Sequence, residues 1–202
     1  LPHIKGKWAQ RGETLKLIGW QAFLVGQIGG WRHMETGLRR FRTAYIEVPR
    51  KNGKSTLLSG VGLYFLTVDD EPGAEVYSAA ASTHQARIVF DATRVMALNG
   101  KVDGVPLASL LDLDIEQHKI KTSDPAAVFQ PVASQTKSKD GKNPHCAIID
   151  ELHEHDKRDV WDSMENGMGA RDQPLLIAIT TAGHNTAGIC YEQRKYLQRI
   201  LD

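Results

Sequence analysis

The sequence predicts an α/β domain with three layers, in which helices cover both faces of a mostly parallel central sheet. Three observations carry this. Strand-like apolar runs alternate with helical stretches, as in "AEVYSAAASTHQARIVFDATRVMAL". Two runs, "HCAIIDE" and "LLIAITTAG", are almost continuously apolar, as strands are when both faces are buried. One strand–turn–helix unit carries "PRKNGKST" at its turn, the local context of a phosphate-binding loop.

In chain order, the apolar spacing of "ETLKLIGWQAFLVGQIGGW" predicts a helix over about 13–30 that stops at Gly29-Gly30. "RTAYIEVP" reads as a strand ended by Pro49, and "KSTLLSGVGLYFLTV" as the helix that follows. "AEVYSAAA" is a second strand, and its helix is capped by Ser82 or Thr83. "KIKT" and "AVFQPVA" read as strands of a meandering section, and "SQTKSKDGKNP" as a polar, basic loop. The two buried strands come next, with a helix in "RDVWDSMENGMGA" between them. A last helix, "AGICYEQRKYLQRILD", runs to the end of the sequence.

With 202 residues the chain suits one well-buried domain. Its 41% hydrophobic and 24% charged residues are ordinary for a globular protein. A net charge of +1 gives no global attraction to nucleic acid or acidic lipid, so any basic surface is local. The basic clusters are Arg39, Arg40 and Arg42, and the loop lysines Lys137, Lys139 and Lys142. Phosphate contacts from such clusters grip nucleic acid without reading its sequence; a solvated charged loop is the other reading. Cys146 and Cys190 form no spaced framework, which suggests a reducing compartment. No apolar run approaches the ~20 residues that span a bilayer, so no membrane is expected. The start, "LPHIKGKWAQRG", has no apolar signal core and no initiator Met, and reads as trimmed.

A phosphate loop needs a strand, a turn of exposed backbone N–H groups, and a helix N-terminus whose amides and dipole hold the phosphate oxygens. Here the turn is Arg50, Lys51, Asn52 and Gly53, and Lys54, Ser55 and Thr56 open the helix. Val48 stands where the usual pattern has its first glycine. Gly53, where backbone must pass close to phosphate, is retained. Lys54 is placed to reach the β/γ-phosphates and Ser55 to bind Mg²⁺. A strand–turn–helix with a surface "GKS" is the plainer alternative. Asp150 and Glu151 end an apolar strand: the first suits a Mg²⁺-bound water, the second an attacking water. A glutamate there favours hydrolysis over transfer to an acceptor. Thr180 and Thr181 end another strand with hydroxyls suited to sensing a γ-phosphate, or form a simple Thr-Gly turn. In "DELHEHD", His153 and His155 are two residues apart and point apart on a helix, so a zinc site gives way to a solvated segment after the strand.

Together "GWQAFLVGQIGGW", "RRFRTAYIEVPRKNGKST", "AEVYSAAASTHQARIVF", "NPHCAIIDELHEH" and "LLIAITTAGHN" resemble the ATPase domain of tailed-bacteriophage large terminases, from about Trp20 to about Tyr191. The resemblance implies a three-layer P-loop NTPase fold of the ASCE, RecA-like kind, with ATP and Mg²⁺ as cofactors. It implies a deviant phosphate loop in which Arg50 reaches the γ-phosphate as a finger in cis, an effect worth ~10³–10⁵ in rate. Lys54 would bind the phosphates, Ser55 and Asp150 the metal, and Glu151 would activate water. Gln21, after Trp20, matches the adenine-reading glutamine. Thr180, Thr181, Ala182 and Gly183 match the motif that couples hydrolysis to movement. The family also implies double-stranded DNA, a portal protein and a small terminase subunit as partners. It implies a five-fold homo-oligomeric ring, with a monomer open to the isolated fragment, and a place in the host cytoplasm docked on a procapsid. The neighbour's cation in such a ring is not identified; Arg171, Arg87 and the "KSKDGKN" lysines are the candidates.

Residues 1–187 are expected to form the ATPase domain, with the helix at 13–30 covering the adenine side. Residues 188–202 are expected to begin a linker helix toward a nuclease domain for which no chain remains, so the fragment should not cut DNA. Three alternatives stand beside this reading. They are another P-loop DNA translocase or helicase, a nucleotide-binding assembly module without turnover, and a small-molecule kinase.

Overall fold

The computed structural model describes residues 1–134 and 141–201. A one-turn helix, α1 (Gly6–Gln10), precedes α2 (Gly19–Val25), which runs into a π-turn at Gly26–Gly30. β1 (Thr43–Glu47) leads to α3 (Lys54–Thr67), and β2 (Glu75–Ala80) to α4 (Thr83–Asn99). The meander holds β3 (Lys101–Val102), β4 (Val105–Pro106), α5 (Leu107–Leu110), β5 (Asp114–Ile115), β6 (Ile120–Lys121) and β7 (Val128–Ala133). Then come β8 (Pro144–Asp150), α6 (Asp159–Gly167), β9 (Leu175–Thr180) and α7 (Ile189–Leu201).

The main sheet has the order β1-β9-β8-β2-β7-β6-β5. Its first five strands are parallel, and β6 and β5 extend it antiparallel. Every residue of β8 and β9 is buried, which is why their sequences show no alternation. One face of the sheet packs Phe129 and Ile148 against Leu58 and Phe65 of α3 and Phe90 of α4. The other packs Ala147, Ile149 and Leu176 against Trp161 and Met164 of α6 and Ile189 of α7. Each fully buried side chain of this size contributes about 1.5–3 kcal/mol. α3 is apolar nearly all round because helices and sheet enclose it.

One predicted boundary is corrected. The helix expected over 13–30 begins at Gly19. Residues before it pair with the chain start instead: His3 N–H donates to Glu13 O (3.0 Å) and Leu15 N–H to Leu1 O (2.8 Å). Gln21 Oε1 then accepts from Ile18 N–H (3.2 Å) and closes the helix N-terminus.

Because β1, β9 and β8 are parallel, their carboxyl ends share one rim. The opposite rim holds a buried ionic cluster. The Asp69 carboxylate has no solvent-accessible surface. It accepts hydrogen bonds from Arg39, from Arg32 (2.8 Å), and pairs with His145 Nε2 (2.7 Å). Arg39 also lies over the Phe65 ring, 4.6 Å from its centroid. The cluster "RRFR" is therefore not a free basic patch: Arg39 is buried and Arg42 donates to Arg171 O (2.8 Å), while Arg40 stacks near Trp31 and Phe41. Lys142 lies over the Tyr77 ring, and Lys137 and Lys139 lie outside the described residues.

Candidate active site

The turn after β1 is shaped by two left-handed residues, Lys51 (φ 67°) and Gly53 (φ 73°). Glycine adopts this conformation freely and other residues do not, which is the physical demand behind Gly53. Asn52 Nδ2 donates to Pro49 O (3.1 Å) and tightens the turn. Arg50 is exposed within it, and Thr56 sits in the first turn of α3. Gln21 of α2 reaches the same place: a methyl group built on Gly53 would lie 3.6 Å from Gln21 Nε2.

Lys54, although a lysine, is buried. Its ammonium donates to Val48 O (3.4 Å) and stands 3.8 Å from Glu151 Oε1. Ser55 Oγ donates to Asp150 Oδ2 (2.9 Å). The helix that begins with the phosphate-loop lysine and the strand that ends in two acids thus meet across the rim. Burial pushes the Asp150 carboxyl above its ordinary range, with the Glu151 charge adding to this and the Ser55 hydrogen bond opposing it. A buried carboxylate beside a hydroxyl supplies the oxygen donors that a hard divalent ion takes. Ser55 and Asp150 are the residues that fit Mg²⁺ here.

β9 lies between β1 and β8 and brings Thr180 and Thr181 into the same rim. Both are buried, and their hydroxyls are engaged. Thr180 donates to Thr181 O (2.9 Å) and accepts from His153 N–H (3.1 Å). The expected solvated segment after β8 is corrected by the same contacts. Glu151 is left-handed (φ 49°), and a 3₁₀ turn at Leu152–Glu154 follows. The turn folds Leu152 into the core and buries His155. Nothing in the sequence points to His153: the "DELHEHD" spacing bears on a helix alone, and neither the turn nor the contact with Thr180 is periodic.

Two of the candidates for a neighbour's cation are occupied within the chain. Arg171 binds Glu71 (3.0 Å) and the carbonyls of Pro72 (2.9 Å) and Asn143 (3.1 Å) at the opposite rim. Arg87 pairs with Asp91 (2.9 Å) and with His118 Nδ1 (2.8 Å). A mostly apolar cavity of about 500 Å³ lies between α2, the chain start and α3 and borders the site through Thr56 and Leu57.

A family model described as the terminase large subunit, ATPase domain, matches residues 19–199. The chain belongs to this family. The large terminase subunit of enterobacteria phage HK97 is 29% identical over 150 residues, covering 72% of this chain and 29% of that protein. Protein YmfN of Escherichia coli K12 is 51% identical over 63 residues, covering 31% of this chain and 14% of that protein. The chain thus spans less than a third of the length of these curated relatives. The crystal structure of the HK97 large terminase matches with TM-score 0.78 at 23% identity, over 95% of this chain and 38% of that one. The Thermus phage P74-26 large terminase ATPase domain matches with TM-score 0.53 at 19% identity, over 83% of this chain and 71% of that one. These structural likenesses establish the fold, an α/β domain around a mostly parallel sheet as in the large terminase ATPase domains. Among the described residues, no helix is long and apolar enough to cross a membrane.

Proposed function

We propose that this terminase ATPase domain hydrolyses Mg-ATP to drive double-stranded DNA into a procapsid. The observation that carries the chemistry is the meeting of Lys54 with Glu151 (3.8 Å) and of Ser55 with Asp150 (2.9 Å). Lys54, the turn amides of Lys51, Asn52 and Gly53, and Thr56 in the first turn of α3 bind the phosphates, and Gln21 binds the adenine edge. Ser55 and Asp150 would hold Mg²⁺, whose charge would offset that of the phosphate oxygens when it is bound. Glu151 takes a proton from the attacking water as the water oxygen bonds to the γ-phosphorus. The electron pair of the breaking bond leaves on the β–γ bridging oxygen of ADP. Arg50 neutralises charge on the γ-oxygens, and Thr180 and Thr181 report it to β9.

Double-stranded DNA, a portal protein and a small terminase subunit are the proposed partners, and a ring of copies docked on the procapsid in the host cytoplasm the working assembly. α7 is the proposed start of a linker to a nuclease domain. The test is phosphate release, with and without DNA, from the wild type and from Glu151→Ala. Loss of release in the variant and stimulation by DNA support the reading. Equal release from both proteins removes Glu151 from its role, and a phosphorylated acceptor in place of free phosphate makes the protein a kinase.

A further inference from the structure

Glu151 holds a left-handed conformation (φ 49°, ψ 54°) that a non-glycine residue adopts only under constraint. The 3₁₀ turn after it is closed by Glu154 N–H donating to Glu151 O (2.9 Å) and is pinned by buried Leu152. That geometry carries His153 back over Glu151. His153 Nδ1 lies 3.0 Å from Thr180 Oγ1 and 3.3 Å from Glu151 Oε2. Behind the ring, Gly183 comes so close that a methyl group there would stand 2.7 Å from His153 Cβ.

With the Thr180 hydroxyl donating to Thr181 O (2.9 Å), its oxygen is the acceptor for Nδ1. A carboxylate oxygen only accepts. Glu151 Oε2 thus calls for a hydrogen on Nδ1, from which Thr181 Oγ1 also stands 3.5 Å, while the other ring nitrogen, Nε2, faces Glu154 Oε1 (3.1 Å). Glu151 Oε2 is buried and lacks a hydrogen bond of good geometry among the described residues, and His153 is the donor that faces it. The other oxygen, Oε1, faces Lys54.

We propose that His153 is a positioning residue for Glu151: its Nδ1–H, shared with Thr180, anchors Oε2 and leaves Oε1 to take the proton of the attacking water. A phosphate that draws Lys54 to itself frees Oε1, while the anchor on Oε2 persists. The same contact ties the acid to β9. The inference rests on the proposed role of Glu151.

The test compares His153→Ala, His153→Asn and His153→Gln in Mg-ATP hydrolysis, in binding of a fluorescent ADP analogue, and in thermal unfolding. An Asn amide N–H falls near the place of Nδ1; a Gln amide reaches past it. Loss of an orienting partner lowers activity by about 10–100-fold. That loss is expected in kcat for Ala and Gln, with KM and ADP affinity changed by no more than about twofold and Asn close to wild type. Adding His153→Ala to Glu151→Gln is expected to cost nothing further. Should His153→Ala keep the wild-type kcat while Glu151→Gln loses it, the positioning role alone fails. Should Asn fall as far as Ala, the ring is only packing, and the inference is overturned. If Glu151→Gln itself turns over normally, the proposed role of Glu151 is lost and this inference with it. Ring ¹⁵N spectra decide independently of turnover. A proton on Nδ1 whose resonance moves in Glu151→Gln supports the inference, and a bare or indifferent Nδ1 sinks it.

Discussion

Replacing Asp69 by Ala should be among the most damaging single changes outside the active site. The Asp69 carboxylate is fully buried and joins Arg39, Arg32 and His145, which come from the segments before β1 and from β8. The Arg39 guanidinium has no exposed surface either, and without Asp69 it is left with the Phe65 ring and two carbonyls, Ile28 O (3.1 Å) and Gln173 O (3.4 Å), none of them an anion. Removing one partner of a buried ion pair costs about 3–5 kcal/mol because the other charge stays buried. In a domain of this size that corresponds to a fall of roughly 6–20 °C in melting temperature. The pH dependence follows from the same cluster. Burial pushes the Asp69 carboxyl up, but the His145 hydrogen bond and the charge and hydrogen bond of Arg39 outweigh it, so its pKa lies below the ordinary value. A depressed carboxylate stabilises the fold above the unfolded pKa, about 3.9, and this stability is lost as pH falls through the lower folded value. Urea unfolding at pH 7 and at pH 3 should thus show a wild-type advantage over Asp69→Ala that shrinks in acid. A melting temperature within about 2 °C of wild type, less than 1 kcal/mol here, would refute the cluster as a structural anchor.

Arg50→Ala should leave folding and nucleotide affinity nearly intact, since the side chain is exposed, yet lower kcat by about 10³-fold or more in single-turnover phosphate release. Asp150→Asn should abolish Mg-dependent hydrolysis while its melting temperature at pH 7.5 holds or rises. Burial raises the Asp150 pKa, so its ionised form opposes folding above that pKa, and the amide keeps an acceptor for Ser55. Gly183→Ala should force His153 away, since the new carbon would meet His153 Cβ at 2.7 Å. A stability loss of about 1–3 kcal/mol in urea and a lower kcat are expected together.

The strands that matter most were legible because burial on both faces leaves a run such as "CAII" or "LLIAI" without polar interruption. The convergence of Lys54, Ser55, Asp150 and Glu151 was legible for a topological reason: parallel strands put their carboxyl ends on one rim, so order along the chain was enough. The start of α2 was not, because Thr14 and Leu15 are held by the chain start through pairing that no local pattern announces. Arg39 read as surface because its buried partner, Asp69, is thirty positions away at the end of α3. His153 read as solvated because its place depends on the left-handed Glu151, a conformation that residue type does not suggest.

The most direct measurement is a crystal structure with Mg²⁺ and a non-hydrolysable ATP analogue. It should place the γ-phosphate within hydrogen-bond reach of Lys54 Nζ and the Arg50 guanidinium, with the metal on Ser55 Oγ and Glu151 facing the phosphorus. A nucleotide bound away from this rim, or one that leaves Lys54 on Glu151 and Ser55 on Asp150, would contradict the claim that β1, β8 and β9 close on a single triphosphate.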